Sequence, residues 1–237
     1  ARKPEKIEYE ESDLTNYILE YNKCMKYDTD YIAEKETTYF KPGIFVGFST
    51  SHFTTANIEG LTISNADFIA SNDLTAGISG NIFFPKSSRY WSMYTAFFYN
   101  SLKVNSIVDE PGPGYTIHHE YTFSLQYLKL ITAIQYQYNF NSLAPFIYAG
   151  FSHAYRLKVE QLHTSQAFYS TGSPGEIHYD TPYNDIYKYE IGYALGIGVL
   201  CFDHFAMNIF YNRNYCLSKG GRHFDISSYN VTAAYVF

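Results

Sequence analysis

The chain has 237 residues, 17% of them charged, with a net charge of -6 and a pI of about 5.7. No basic stripe is available to neutralise phosphates, which excludes a nucleic-acid partner. Mean hydropathy is -0.25, and the longest apolar stretches, such as Ile191 to Phe202, are short and glycine-rich, so nothing approaches the roughly 20 apolar residues of a spanning helix.

The first 39 residues carry a dense run of acid, from Glu5, Glu8, Glu10, Glu11 and Asp13. Leu14, Tyr17, Ile18 and Tyr21 follow at helical spacing before Lys23 and Cys24, which predicts a short amphipathic helix capped by Ser12 or Asp13. This leader, 1–39, is read as a partly helical periplasmic extension. It begins Ala1-Arg-Lys, without Met or an apolar segment, as a signal-cleaved chain does.

From residue 40 to 237 the pattern changes to period-two alternation broken by turn signals. Eight strands are predicted, at 40–54, 72–84, 90–106, 115–140, 144–159, 186–201, 205–214 and 225–237. Short connections at 85–89, 141–143 and 202–204 alternate with longer polar ones at 55–71, 107–114, 160–185 and 215–224. That asymmetry, and an even strand count, describe an all-β, eight-stranded antiparallel transmembrane barrel in the bacterial outer membrane, with both termini periplasmic. The 26 Tyr and 19 Phe against one Trp suit interfacial aromatic girdles. A soluble lipocalin-like barrel is the alternative fold.

The facing of each strand follows from its parity. In the sixth, Tyr187, Tyr189, Ile191, Tyr193, Leu195, Ile197 and Val199 share a lipid face, opposite Lys188, Glu190, Gly192, Ala194, Gly196 and Gly198. In the second, Leu74, Ala76, Ile78 and Ile82 oppose Thr75, Gly77, Ser79 and Asn81. The fourth places Tyr121, Phe123 and Leu125 toward lipid and His118, Glu120, Thr122, Ser124 and Gln126 inside. Its parity then reverses, so that Ile134, Tyr136 and Tyr138 face out, which predicts a bulge near Leu128 and Lys129. The last strand puts Tyr229, Val231, Ala233, Tyr235 and Phe237 on one face, and Tyr229, Val231, Tyr235 and Phe237 are read as a C-terminal insertion signal.

The same parity gathers Glu120, Arg156, Lys158, Lys188 and Glu190 in the lumen as a compensating ion network, structural rather than catalytic. A selectivity ring is the alternative. No catalytic residue, cofactor or metal site is predicted. Cys24, Cys201 and Cys216 lack metal-ligand spacing, although Cys24 and Cys201 both lie toward the periplasmic side. Among the scattered histidines, His118 could join Glu120 and Ser152 as the acid, base and nucleophile of a lipid hydrolase, but no spacing demands it. Pro111-Gly-Pro-Gly114 and Gly172-Ser-Pro-Gly175 are turn chemistry. The loop around the latter, with Phe168, Tyr169, Tyr179 and Tyr183, is aromatic enough to bind a partner.

Leu125-Gln-Tyr-Leu-Lys-Leu130 runs into Ile134-Gln-Tyr-Gln-Tyr-Asn-Phe140 and is followed by Leu143-Ala-Pro-Phe-Ile-Tyr-Ala-Gly-Phe-Ser152, with glycines repeated through Tyr189 to Gly198 and Tyr235-Val-Phe237 at the end. In these residues the chain resembles the small outer-membrane β-barrel proteins of Bacteroidota, the PorT-like group, over about residues 40–237. The proline usual in the first box is replaced by Ile131 or Thr132. The resemblance implies a non-enzymatic barrel acting as accessory subunit of a larger outer-membrane complex for transport, secretion or barrel insertion. Its partners would be outer-membrane lipid, other outer-membrane proteins and, during biogenesis, the barrel-assembly machinery. A small stand-alone pore and a lipid hydrolase are the alternatives.

Overall fold

A computed structural model describes residues 11–25, 38–55, 63, 66–84, 90–182, 187–217 and 223–237. The chain falls into two units, Ala1–Thr37 and Thr38–Phe237. In the first, α1 spans Glu11–Cys24 with Lys23 in its last turn. Ser12 and Asp13 lie inside this helix rather than capping it.

The second unit holds β1 (Tyr39–Thr55), β2 (Ser71–Phe83), β3 (Trp91–Gly112), β4 (Tyr115–Gln137), β5 (Leu143–Tyr169), β6 (Pro174–Asp180), β7 (Tyr189–Cys201), β8 (Phe205–Leu217) and β9 (His223–Val236). All but β6 pair antiparallel in one closed ring, in the order β1-β2-β3-β4-β5-β7-β8-β9 and back to β1. Closure pairs each of the eight ring strands on both sides, which satisfies the ladder through the band without water, while β3 beyond Tyr99 pairs with β4 alone.

Partner-to-partner steps from Ile44 lead through Ile78, Phe97, Leu130, His153, Ile191, Tyr215 and Asp225 and return to β1 at Thr54, ten residues further along. With strands about 4.8 Å apart and rising about 3.4 Å per residue, eight strands and that stagger give a tilt of about 40°. The ten steps from Tyr189 to Val199 on β7 then cover about 26 Å along the barrel axis, matching the roughly 25 Å apolar band of transmembrane barrels.

One end of the barrel is closed by tight turns. At Cys201–His204, Phe202 and Asp203 both take positive φ (52° and 61°) and the His204 N–H donates to the Cys201 carbonyl at 3.2 Å, a two-residue turn whose twist suits the flanking strands. Asn141 (φ 52°) turns the β4–β5 connection, where Phe140 and Leu143 exchange backbone bonds. The opposite end carries the long elements. β3 and β5 run past their predicted ends to Gly112 and Tyr169, and β6 adds to β5 as a short strand. Much of what composition reads as polar loop is therefore strand standing beyond the band. The connection at 85–89 and Tyr183 lie outside the described residues.

The parity reading of β2 and β7 agrees with the exposure pattern, whereas that of β4 is corrected. From Tyr121 to Gln137 its odd-numbered residues all turn inward without reversal, and β4 pairs with β3 in unbroken register. The one irregularity lies across from Gln126 and Tyr127, which pair with Lys158 and Arg156 and leave Leu157 as the extra residue on β5. The bulge therefore belongs to β5. Tyr121, Phe123 and Leu125 are buried in the barrel and Glu120 is exposed, because this stretch stands where the outside is water and the inside is the place to hide an aromatic ring.

Candidate functional site

The lumen is packed in three layers. At the turn end, an apolar cluster includes Phe45, Phe98, Phe146, Tyr148 and Phe210. Gly196 and Gly198 on β7 make room for it, since a Cβ there would meet the Tyr148 and Phe146 rings at 2.3 and 2.4 Å. Beside it, a space of about 40 Å³ between Asn81, Gln135 and Asn208 has room for a water rather than a passage. At the loop end, Phe53 packs between Phe123, Phe224 and Phe68, each with ring centroids 4.8 Å away. Phe68 belongs to a segment laid over the mouth, where Asp67 accepts a 2.7 Å bond from Ser106 Oγ through its carbonyl.

Between the apolar layers lies a polar belt. Ser152 Oγ donates to Asn214 Oδ1 at 3.0 Å, Asn230 Nδ2 to Asn212 Oδ1 at 3.1 Å, and Ser51 and Ser228 share a bond of 2.9 Å. Two cations are buried here. Lys129 donates to Ser228 Oγ at 3.4 Å and sits 5.8 Å over the Tyr127 ring. Arg156 pairs with Glu190, both about 1% exposed, and also donates to the Tyr187 carbonyl at 3.0 Å, Tyr127 Oη at 3.3 Å and Cys216 Sγ at 2.8 Å. The Tyr127 and Phe224 rings flank its guanidinium at 5.5 and 5.6 Å. Buried charges persist when paired and hydrogen-bonded in this way.

Of the five residues read as a lumen network, the structure brings together Arg156 and Glu190. Glu120, Lys158 and Lys188 are exposed, and Lys158 pairs with Glu160 on the outer surface at 2.6 Å. The three corrections have separate causes: β4 has no reversal to turn Glu120 inward, the extra residue Leu157 turns Lys158 outward, and Lys188 precedes the first residue of β7. Lys129, Tyr127 and Cys216 were missed. The inward parity of Gln135 and Gln137, carried back along β4 without a bulge, locates the first two. The cysteines are thiols, with Cys24 exposed and Cys216 buried.

The hydrolase candidates are not assembled. Ser152 lies opposite Ile131, while His118 stands thirteen residues up β4, about 45 Å along the strand, and pairs with Asp109 at 2.6 Å. Nearby, His119 Nδ1 meets His163 Nε2 at 3.0 Å, His119 Nε2 lies 3.3 Å from Glu110, and Tyr121 stacks on His163 with centroids 4.4 Å apart. Burial and the adjoining His119 lower the pKa of His163. Among the described residues, no group of three or more His, Cys, Asp or Glu is placed to hold a metal ion.

The outer surface divides into bands. Near the turns, Trp91 meets Tyr136 edge-on and Phe205 meets Tyr235 edge-on, with centroids 5.0 and 5.5 Å apart. Toward the loops, Tyr193, Tyr211 and Tyr229 form a row with spacings of 6.0 and 5.0 Å. Between these girdles the outward side chains are apolar, as at Ile44, Ile78, Ile134, Ile147, Ile197, Ile209 and Val231, each at least 52% exposed. Tyr229, Val231, Tyr235 and Phe237 face outward on β9 or just past it. Such a belt suits hydrocarbon, not water.

No curated protein sequence matches the chain. Among solved structures it is similar to OprG from Pseudomonas aeruginosa (12% identity, 86% of this chain and 98% of that one, TM-score 0.43). It is likewise similar to Ail of Yersinia pestis (12%, 84% and 99%, TM-score 0.36) and Neisserial surface protein A (10%, 85% and 100%, TM-score 0.37). Residues 32–215 match the model of the outer membrane protein beta-barrel domain, so the chain belongs to that family of bacterial outer-membrane barrels.

Proposed function

We propose that this chain is a non-enzymatic accessory barrel of a larger outer-membrane complex, oriented with its turns and both termini in the periplasm. The observation that carries this reading is the filled lumen: two aromatic clusters with a hydrogen-bonded belt between them leave no wide path for a solute. A pore is correspondingly disfavoured. The sheet beyond the band instead offers apolar side chains to the outside, with Ile107 61%, Phe168 47%, Ile177 46% and Tyr179 68% exposed, the kind of patch that marks a protein contact. The sequence boxes on β4 and β5 favour a PorT-like barrel of Bacteroidota, and outward Tyr229, Val231, Tyr235 and Phe237 would be read by the assembly machinery as an insertion signal.

Co-purification from outer membranes in mild detergent tests the proposal. The barrel is expected to carry a larger membrane protein with it, and Ile177→Asp with Tyr179→Asp to lose that partner while still folding. A barrel that always runs alone, or a partner retained by the double variant, contradicts the proposed contact.

A further inference from the structure

The apolar belt is not uniform. On the β4–β5–β7–β8 side, a groove of about 730 Å³ climbs from Trp91 in the turn-end girdle past Ile147, Leu195 and Ile209 to Tyr211 and Tyr229 in the loop-end girdle. A second groove of the same volume runs beside it and shares Ile147, Ile197 and Ile209 as the dividing wall. The stagger of the barrel explains the slope: rows of hydrogen-bonded partners rise toward the loop end from β3 to β9, so the first groove crosses about 20 Å of the band. Small Ala149, on the outward face of β5, lines it, which makes the trough deep at mid-height.

Directly above its upper end stands Arg213, two residues beyond Tyr211 on the same face of β8. One Nη donates to Asp225 at 2.6 Å and Tyr193 is a further hydrogen-bond partner, while the side chain stays 37% exposed. A guanidinium has five N–H donors in a rigid fork, so donors remain for an anion arriving from the membrane surface. Tyr193, Tyr211 and Tyr229 surround that point with rings and hydroxyls.

We propose that this face seats one phosphorylated glycolipid of the outer leaflet, its phosphate on Arg213, its sugar hydroxyls among the girdle tyrosines and its acyl chains in the two grooves. The grooves are continuous with the lipid-facing belt, which makes an acyl chain their occupant. Arg213, ion-paired with Asp225, keeps guanidinium donors open for a phosphate, and its place at the loop-end girdle selects the outer leaflet. That last step rests on the orientation proposed above.

Trp91, the one tryptophan of the chain, lies in the opposite girdle, so it is replaced by Phe and Leu195→Trp places the reporter in the groove wall just below the tyrosine row. The folded full-length protein is placed in vesicles of phosphatidylcholine with brominated acyl chains, which quench that tryptophan, and unbrominated lipids are titrated in. A bis-phosphorylated glycolipid is expected to restore fluorescence at several-fold lower mole fraction than its dephosphorylated form or phosphatidylglycerol. Arg213→Gln should remove that advantage, as should Ala149→Phe, which fills the trough; both should keep the heat-modifiable migration of a folded barrel. Identical titrations for every lipid, or an advantage that survives Arg213→Gln, overturn the site, and phosphatidylglycerol acting as well as the glycolipid overturns the choice of ligand. Because both leaflets of the vesicle have the same composition, the result does not depend on orientation, which protease accessibility on whole cells tests separately.

Discussion

The two halves of β4 have one backbone parity and opposite chemistry. From Gln137 back to Leu128 the inward residues include Gln135 and Lys129 and the outward ones Ile134 and Leu130; from Tyr127 to Tyr121 the inward ones are Tyr127, Leu125, Phe123 and Tyr121 and the outward ones Gln126, Ser124 and Thr122. Neighbouring strands change at the same level: Thr50 bonds to Asn72 at 2.7 Å above Phe48 and Leu74, Lys103 follows Tyr99, and Arg213 with Asp225 follows Tyr211 and Tyr229. The lower barrel carries apolar side chains outward as well as in the turn-end cluster of its lumen, whereas the upper barrel keeps its aromatic side chains inside. What changes at that boundary is the solvent outside, so amphipathicity reverses while the strand does not.

The largest effect should come from the polar belt of the lumen. Glu190→Ala leaves Arg156 buried without its carboxylate and should cost about 3–5 kcal/mol, read as a lowered urea midpoint in micelles. A lysine scan sharpens the contrast between the outer surfaces. Ile197→Lys, in the belt, should cost about 2–4 kcal/mol, whereas Thr122→Lys, above it, should stay within about 0.5 kcal/mol; equal costs would erase the boundary.

The smallest effect concerns the loop end alone. The pKa of His163 lies below the usual histidine value in the folded state, so the folded barrel takes up its proton less readily than the unfolded chain. Its stabilising contribution is complete above the unfolded value of about 6.5 and is lost as pH falls below it toward the lowered folded value. Stability of the native barrel should thus weaken over that range, and His163→Gln should flatten this part of the profile.

Closure, strand number and the facing of β2, β7 and β9 were legible because one alternation rule holds along each of them: apolar out, small or polar in. β4 misled for a physical reason. A reader who assumes lipid outside along its whole length must turn Phe123 outward and insert a bulge to recover Gln135, and Glu120 then joins a lumen network it does not touch. The extension of β3 and β5 was hidden likewise, since polar strands in water share their composition with loops. The Arg156–Glu190 pair was found because both lie in the stretches where the rule holds, below the Leu157 bulge. Lys129 was missed because the supposed bulge fell upon it. The groove below Arg213 depends on barrel stagger, which requires the register of all eight ring strands.

Spin labels at residues 122, 123 and 134 of β4, in a chain with Cys24, Cys201 and Cys216 replaced, test the boundary most directly through collision with oxygen and a water-soluble nickel chelate. A label at 134 should meet oxygen and not nickel, one at 122 should meet nickel, and one at 123 should be shielded from both. A label at 123 that collides freely with oxygen in lipid, with 122 shielded, would restore the parity reversal and contradict the account.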